Sequence, residues 1–249
     1  MTKEPIIQIK NISLSFPEMV VHRDISLDIF AGDSITILGP SGTGKTVLIK
    51  MIIGLLKPTS GEVIAFGKSV LNQKEEDLTY LRKKIGILFQ GAALFDSLNV
   101  YENIAYSLRE EGELAESAIK QIIEEKLELV GLSGVEKKYP PQLSGGQKKR
   151  IGLARALASS PEVMLFDEPT TGLDPTSIRR IDDLISKLNN ELGMTSISVT
   201  HDIQSARRIS KRWILMYDGR ILADGPAEQL LEENEDVRRF AEGRWAVEI

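Results

Sequence analysis

The sequence predicts an α/β fold in which helices cover a parallel sheet and a helical insertion divides it. Three features carry that expectation. A strand, a glycine-rich loop and a helix follow one another in "SITILGPSGTGKTVLIKMIIGLL". The middle third then reads almost wholly helical, and β/α alternation returns from "PEVMLFDEP" onward, the order expected of parallel strands joined by crossover helices.

The elements follow in order. "IIQIKNISLSF" and "HRDISLDIFAGDSITILGP" alternate apolar and polar residues between Gly, Asp and Pro punctuation, so the N-terminal part is β-rich. "KTVLIKMIIGLL" has helical spacing and stops at "KPTSGE", after which "EVIAFG" reads as a short strand. From "EEDLTYLRKK" to "GLARALASS" the pattern is mostly helical around one apolar strand, "IGILFQ". Within it, "AESAIKQIIEEKLELVGL" places Ile119, Ile122, Ile123, Leu127 and Val130 on one face, with Gly131 as the stop. The helix "PTSIRRIDDLISKLNNELG", the strand "TSISVTHD" and a further helix restore the alternation, and "ILMYDGRILADG" carries an Asp-Gly hairpin signal. With no repeat, low-complexity tract or Pro-rich linker in view, the chain reads as one domain with two lobes.

Composition narrows the function classes. The chain has 249 residues, 42% hydrophobic and 27% charged, with a formal net charge of −5. That balance lacks the basic footprint of a nucleic-acid binder, so no nucleic-acid partner is expected. There is no cysteine, which removes disulfides, thiol catalysis and Cys-based zinc sites. "MTKEPIIQIK" lacks the apolar core of a signal peptide, and runs such as "KMIIGLL" and "VMLF" are too short to span a bilayer. The chain is expected to be soluble, with any membrane role reached through a partner.

"GPSGTGKT", Gly39 to Thr46, fits the phosphate-binding pattern of Gly, four residues, Gly-Lys, then Ser or Thr, between a strand and a helix. Gly39, Gly42 and Gly44 let successive backbone N–H groups converge on phosphate oxygens, and the helix start adds its positive dipole end. Pro40, Ser41 and Thr43 complete the loop, Lys45 neutralises terminal phosphates, and the Thr46 hydroxyl is placed for Mg²⁺. A turn that only caps a helix shares the glycines, but the flanking strand and helix favour the phosphate reading.

A buried strand ending in Asp167 and Glu168 can offer one carboxylate to Mg²⁺ and the other to a proton from attacking water. A capping acid before a Pro turn is the alternative, which the upstream loop outweighs. His201 follows the strand "SISVT" and should reach the same sheet edge, whereas His22 reads as a solvated turn residue. Gln90 ends "IGILFQ", where a neutral amide could ligate Mg²⁺ or orient water, although a lone Gln carries no meaning by itself. "LSGGQKKR" repeats the anion-cradle solution: Ser144 brings a hydroxyl, Gly145 and Gly146 bring backbone N–H groups, and a helix begins behind them. Read alone, Ser144 could be an ordinary N-cap.

Taken together, the P-loop, Gln90, "LSGGQ", "LFDEP", "GLD" at Gly172 to Asp174 and His201 resemble, in order and across essentially the whole chain, the ATP-binding cassette (ABC) ATPases. The resemblance implies a P-loop NTPase cassette with a RecA-like mixed-sheet core (1–90 and 160–230), an N-terminal antiparallel β subdomain, a helical subdomain (about 91–159) and a C-terminal tail (231–249). It also implies ATP and Mg²⁺ as cofactors, and a homodimer in which the signature of one chain closes on the ATP held by the P-loop of the other. Carried over by position, Lys45 and Thr46 are P-loop contacts and Gln90 is the Q-loop residue. Ser144, Gly145, Gly146 and Gln147 form the signature, and Asp167 is the metal acid. Glu168 is the general base, Asp174 the D-loop acid and His201 the switch histidine. Phe16 falls where the family stacks an aromatic on adenine, and a core role for it stays open.

One cassette with a short insertion implies a transporter subunit with its transmembrane permeases on separate chains, held peripherally at the cytoplasmic face of the inner membrane. The segment "GAALFDSLNVYENIAYSLRE" lies where the family docks its permease, with Phe95, Leu98, Val100, Tyr101 and Tyr106 divided between that surface and the lobe core. This segment, with "GTGKT" and "SVTHD", is most similar to the ATPases of Mla-type transporters. Those work with MCE-domain proteins on phospholipid transport. A small-solute importer and a soluble cassette are the other readings. The tail ends near Trp245 in a polar context, expected either to dock on a neighbouring subunit or to fray.

Overall fold

The computed structural model describes residues 4–71, 73–112 and 114–245. The chain opens with β1 (Ile7–Phe16) and β2 (Met19–Ile29), which pair antiparallel and bury Ile7, Ile9, Ile12 and Leu14 against Val21, Ile25, Leu27 and Ile29. Next come β3 (Ser34–Leu38) and α1 (Lys45–Ile52). The chain then returns to the first sheet, where β4 (Ser60–Ala65) pairs antiparallel with β1 and β5 (Lys68–Ser69) extends it, in the order β2-β1-β4-β5. The "EVIAFG" strand therefore adds nothing to the parallel sheet. Only Val63 and Ala65 of β4 are buried, and burial of a single face suits an antiparallel sheet.

After α2 (Glu75–Lys83), β6 (Ile85–Leu88) starts the second sheet, which β7 (Val163–Asp167), β8 (Thr195–Thr200), β9 (Arg212–Tyr217) and β10 (Arg220–Pro226) complete. Its order is β10-β9-β3-β8-β7-β6, parallel from β9 to β6 and antiparallel at the β9–β10 hairpin, so the sheet is mixed. Asp218 (φ 42) and Gly219 (φ 69) form that turn in the left-handed conformation an Asp-Gly hairpin requires. Every residue of β7 and β8 is buried, as covered parallel strands demand. One core cluster joins both sheets through α1, with Leu48, Ile49, Met51 and Ile52 packed between strand residues.

The helical lobe comprises α3 (Val100–Glu111), α4 (Glu116–Leu129), a 3₁₀ turn (Pro140–Gln142) and α5 (Gly145–Ala158) around a second cluster. Ile119, Ile123, Leu127 and Val130 are buried and Ile122 partly so, and Gly131 (φ 66) ends the run. Val100 is fully buried and belongs to this core, not to the expected docking surface, while Phe95 and Tyr106 are exposed and in ring contact at 5.4 Å.

Then follow α6 (Pro175–Glu191), α7 (Ile203–Ile209), α8 (Ala227–Glu233) and α9 (Glu235–Ala241). Trp245 is neither exposed nor frayed: its ring packs edge-on against Tyr217 at 5.0 Å and Phe240 at 6.1 Å, beside a third cluster built on Trp213 and Val237. Residues 246–249 of the expected tail lie outside the described residues. Among the described residues, no helix is long and apolar enough to cross a membrane.

Candidate functional site

Register brings the candidate residues to one edge. Leu38 at the end of β3 pairs with Thr200 of β8, and Asp167 at the end of β7 pairs with Val199. The loop 39–46, the acids 167 and 168, and His201 therefore all leave the sheet at the carboxyl ends of adjacent parallel strands, where open α/β sheets bind ligands.

The loop is built on glycines with positive φ: Gly39 (151), Gly42 (84) and Gly44 (89). A Cβ at Gly39 would collide with the Met216 carbonyl, so only glycine fits there. Lys45 is buried, and its ammonium donates to the carbonyls of Gly39 at 2.7 Å and Pro40 at 2.8 Å. Burial lowers its pKa, with Glu168 and Asp167 opposing. The Thr43 hydroxyl closes the turn on the Pro40 carbonyl at 3.0 Å, while Ser41 and Gly42 stay exposed. An ammonium solvated by its own loop, beside a helix start, suits the phosphates of a nucleotide.

The Thr46 hydroxyl donates to Asp167 Oδ1 at 2.6 Å, which sets two hard oxygens side by side. Among the described residues, no group of three His, Cys, Asp or Glu side chains gathers as a metal cage. This donor set fits Mg²⁺, which binds through one or two protein oxygens and completes its shell from substrate phosphates and water.

Glu168 has φ 47, a left-handed conformation that strains a non-glycine residue. Its N–H donates to the Val199 carbonyl at 3.0 Å. One carboxylate oxygen accepts from His201 Nδ1 at 3.1 Å and the other from the Thr171 hydroxyl at 2.9 Å. Because a carboxylate accepts, Nδ1 carries the imidazole proton. The Glu168 side chain is 12% exposed against 50% for His201. A shielded carboxylate oriented by these two donors, with the Thr200 hydroxyl a third at 3.5 Å, is arranged to take a proton from water at the open side of the site.

The other predicted residues stand apart from this group. Gln90 lies two residues beyond β6 at the same sheet edge, exposed and outside the hydrogen bonds that join Thr46, Asp167, Glu168 and His201. Ser144 caps α5 in a reciprocal box with Gln147: the Gln147 N–H donates to Ser144 Oγ at 3.3 Å, and the Ser144 N–H donates to Gln147 Oε1 at 2.9 Å. Ser144 and Gly145 are exposed, whereas Gly146 is buried so tightly that a Cβ would lie 2.7 Å from Ser177 Oγ. Asp174 caps α6, accepting from the N–H groups of Thr176 and Ser177 at 3.0 Å each and from the Ser177 hydroxyl at 2.6 Å; these bonds lower its pKa. Phe16 ends β1 half exposed beside exposed Met19 and Val20, at the turn from which β2 runs past Gly44.

Two residues escape the sequence reading. His22 is fully buried rather than solvated, and its Nε2–H donates to the Gly44 carbonyl at 3.1 Å. A register shift between Leu14 and Ser15 turns both Val21 and His22 inward, which strict alternation does not anticipate. Burial lowers the His22 pKa, and its Nδ1 is buried without a partner. Lys149, within "QKKR", is 4% exposed, and its ammonium donates to the Glu168 carbonyl at 3.0 Å. Burial pulls its pKa down to about 8 against the pull of Asp167 and Glu168. Helical spacing carried a signal for it: Lys149 shares a face with buried Gly146, Leu153 and Leu157.

Known proteins resemble this chain in sequence and in fold. A family model described as "ABC transporter" matches residues 22–171. The chain is 42% identical over 239 residues, 96% of its length and 69% of the other's, to "Probable ribonucleotide transport ATP-binding protein mkl" of Mycobacterium leprae. It is 40% identical over 233 residues, 94% of its length and 88% of the other's, to "Intermembrane phospholipid transport system ATP-binding protein MlaF" of Haemophilus influenzae. Among solved structures, the dimeric post-hydrolysis state of the ATP-binding cassette MJ0796 bound to ADP and Pi superposes with a TM-score of 0.81 at 34% identity. That match covers 88% of this chain and 98% of the other.

Proposed function

We propose, from the premise that the chain belongs to the ABC transporter family, that this ATPase drives phospholipid transport between membranes as the peripheral, ATP-hydrolysing subunit of a permease complex. Two copies would bind ATP between the P-loop of one and Ser144–Gly146 of the other. The observation that carries the hydrolytic part is the Glu168–His201 pair beside Thr46 and Asp167, on the edge that also presents Lys45.

In this reading Lys45 leaves its carbonyl partners for the terminal phosphates, and the backbone N–H groups of 42–46 hold their oxygens. Thr46 and Asp167, with Gln90 at the same edge, would hold Mg²⁺, which would supply charge neutralisation on the phosphates. Glu168 accepts the proton of the attacking water. His201, its Nδ1–H on Glu168, turns the rest of its ring to the transferring phosphoryl group. Ser144, Gly145, Gly146, Gln147 and Asp174 serve the partner's nucleotide, and Phe16 stacks on adenine. Exposed Phe95 and Tyr106 belong to the permease-docking surface.

The phospholipid cargo rests on the MlaF likeness, which spans nearly the full length of both chains. That likeness also suggests an MCE-domain partner in the complex, with this chain itself held peripherally at the cytoplasmic face of the inner membrane. The mkl likeness carries a different cargo in its name and supports a solute transporter as the second reading. Purification from native membranes in mild detergent, with mass spectrometry of the accompanying chains and lipids, tests both. A permease with an MCE-domain protein and bound phospholipid is the expected result. A permease with a soluble binding protein favours the second reading, and no membrane partner refutes both.

A further inference from the structure

We propose that Lys149 is a positioning residue that holds Glu168 in its proton-accepting pose and ties that pose to the helix carrying Ser144–Gly146. The inference rests on the ATP-hydrolysing reading above. A lysine on the buried face of α5 is an expensive choice, because an ammonium taken from water needs a specific partner to offset its desolvation. Gly146, Leu153 and Leu157 on the same face are small or apolar, as packing asks.

The partner of Lys149 is a main-chain oxygen, the Glu168 carbonyl at 3.0 Å. The bond thus fixes the backbone of Glu168 and leaves its carboxylate free to take a proton. That backbone needs fixing: a left-handed glutamate at φ 47 persists only where its surroundings over-determine it. Glu168 is pinned on both sides, by its own N–H on the Val199 carbonyl at 3.0 Å and, on its C=O, by Lys149 at 3.0 Å and by the longer bond from the Thr171 N–H at 3.4 Å. Without Lys149 only the 3.4 Å bond from the Thr171 N–H holds that carbonyl, and the residue can relax toward an ordinary conformation and swing its carboxylate off His201 Nδ1 and the Thr171 hydroxyl.

The anchor also has a direction. Lys149 lies five residues after Ser144, about 7 Å along a rigid helix axis. A shift of α5 when Ser144 and Gly145 meet a nucleotide on the partner chain would therefore be felt at Glu168 of the same chain. One signature's engagement would set the base of the other site.

The test uses the full-length chain and ATP. Lys149→Met keeps the apolar stem as far as the ε position and removes the ammonium donor. The expected result is a kcat lower by at least about tenfold, the order a misplaced catalytic group produces, with ATP affinity within about twofold of wild type. Because the chain has no cysteine, Lys149→Cys introduces a single thiol. Alkylated in denaturant with 2-bromoethylamine and refolded, it regains an ammonium at lysine length; alkylated with 1-bromopropane, it regains the length alone. Recovery of kcat with the aminoethyl group and not with the propyl group is expected. Equal recovery by both, or wild-type kcat in Lys149→Met while Glu168→Gln is inactive, would overturn the positioning role and leave the hydrolytic site standing. Turnover surviving in Glu168→Gln would overturn the reading on which the proposal rests.

Discussion

Replacing Gly44 by alanine should destabilise the protein more than the same change at Gly42, and the difference isolates the contact between the P-loop and His22. Both glycines sit at nearly the same φ, 84 and 89, so both alanines incur the left-handed penalty of about 1–2 kcal/mol. Both substitutions also restrict the unfolded chain alike, and that contribution cancels between them. The surroundings differ. A Cβ at Gly42 meets nothing within 4 Å, whereas one at Gly44 would lie 2.5 Å from His22 Nε2 and 2.8 Å from Val21 Cγ1. Forcing a methyl into a packed site adds about 1–3 kcal/mol, giving roughly 2–5 kcal/mol for Gly44→Ala in all. Urea unfolding at equal m-values measures both. Adding His22→Ala to Gly44→Ala should recover part of the loss, with a coupling energy of about 1 kcal/mol or more. Equal destabilisation by the two alanines, or strict additivity with His22→Ala, would refute the packing of His22 behind the loop.

Glu168→Gln keeps the shape of the side chain without the proton acceptor. It should bind ATP normally, turn over at least about 100-fold more slowly and elute as an ATP-dependent dimer in size-exclusion chromatography, whereas Lys45→Ala should lose ATP binding and the dimer together. Thr46→Val should raise the Mg²⁺ concentration needed for half-maximal turnover by about tenfold or more, read from a Mg²⁺ titration. His22 predicts a loss of stability on acidification. Burial lowers its folded pKa below the ordinary 6.5, so the unfolded chain takes up the proton first. The stability of the neutral form is complete above pH 6.5 and falls as the pH drops toward the folded value, by at most about 1.4 kcal/mol per pH unit. His22→Gln should flatten that slope in urea midpoints measured between pH 7.5 and 5.5, and an unchanged slope would assign the acid sensitivity to other groups.

Features encoded within a few residues were legible in the sequence. The glycines and Lys45 of the P-loop are contiguous, and their strand and helix neighbours show directly in the hydropathy pattern. The cap at Ser144, the Asp-Gly hairpin and the apolar face of α4 are equally local, set by hydrogen bonds or side-chain periodicity within about two helical turns. The all-buried strands β7 and β8 announced a covered parallel sheet, and hence one edge for Asp167, Glu168 and His201.

Pairing and packing between distant segments were not legible. "EVIAFG" reads the same whether it joins the parallel sheet or returns to β1, and the choice depends on which sheet face its two inward residues can cover. Val100 and Trp245 resemble surface residues in their local context but fill space against elements far away in sequence. His22 carries a polar signature that strand alternation assigns to solvent, and for Lys149 helical spacing marks the buried face of α5 without showing what its ammonium meets. A strand register shift buries the first behind Gly44, and the approach of α5 to the end of β7 buries the second on Glu168. Periodicity and caps belong to the chain alone, whereas the partner of a buried polar group is supplied by whichever distant backbone the packed core brings within 3 Å or so.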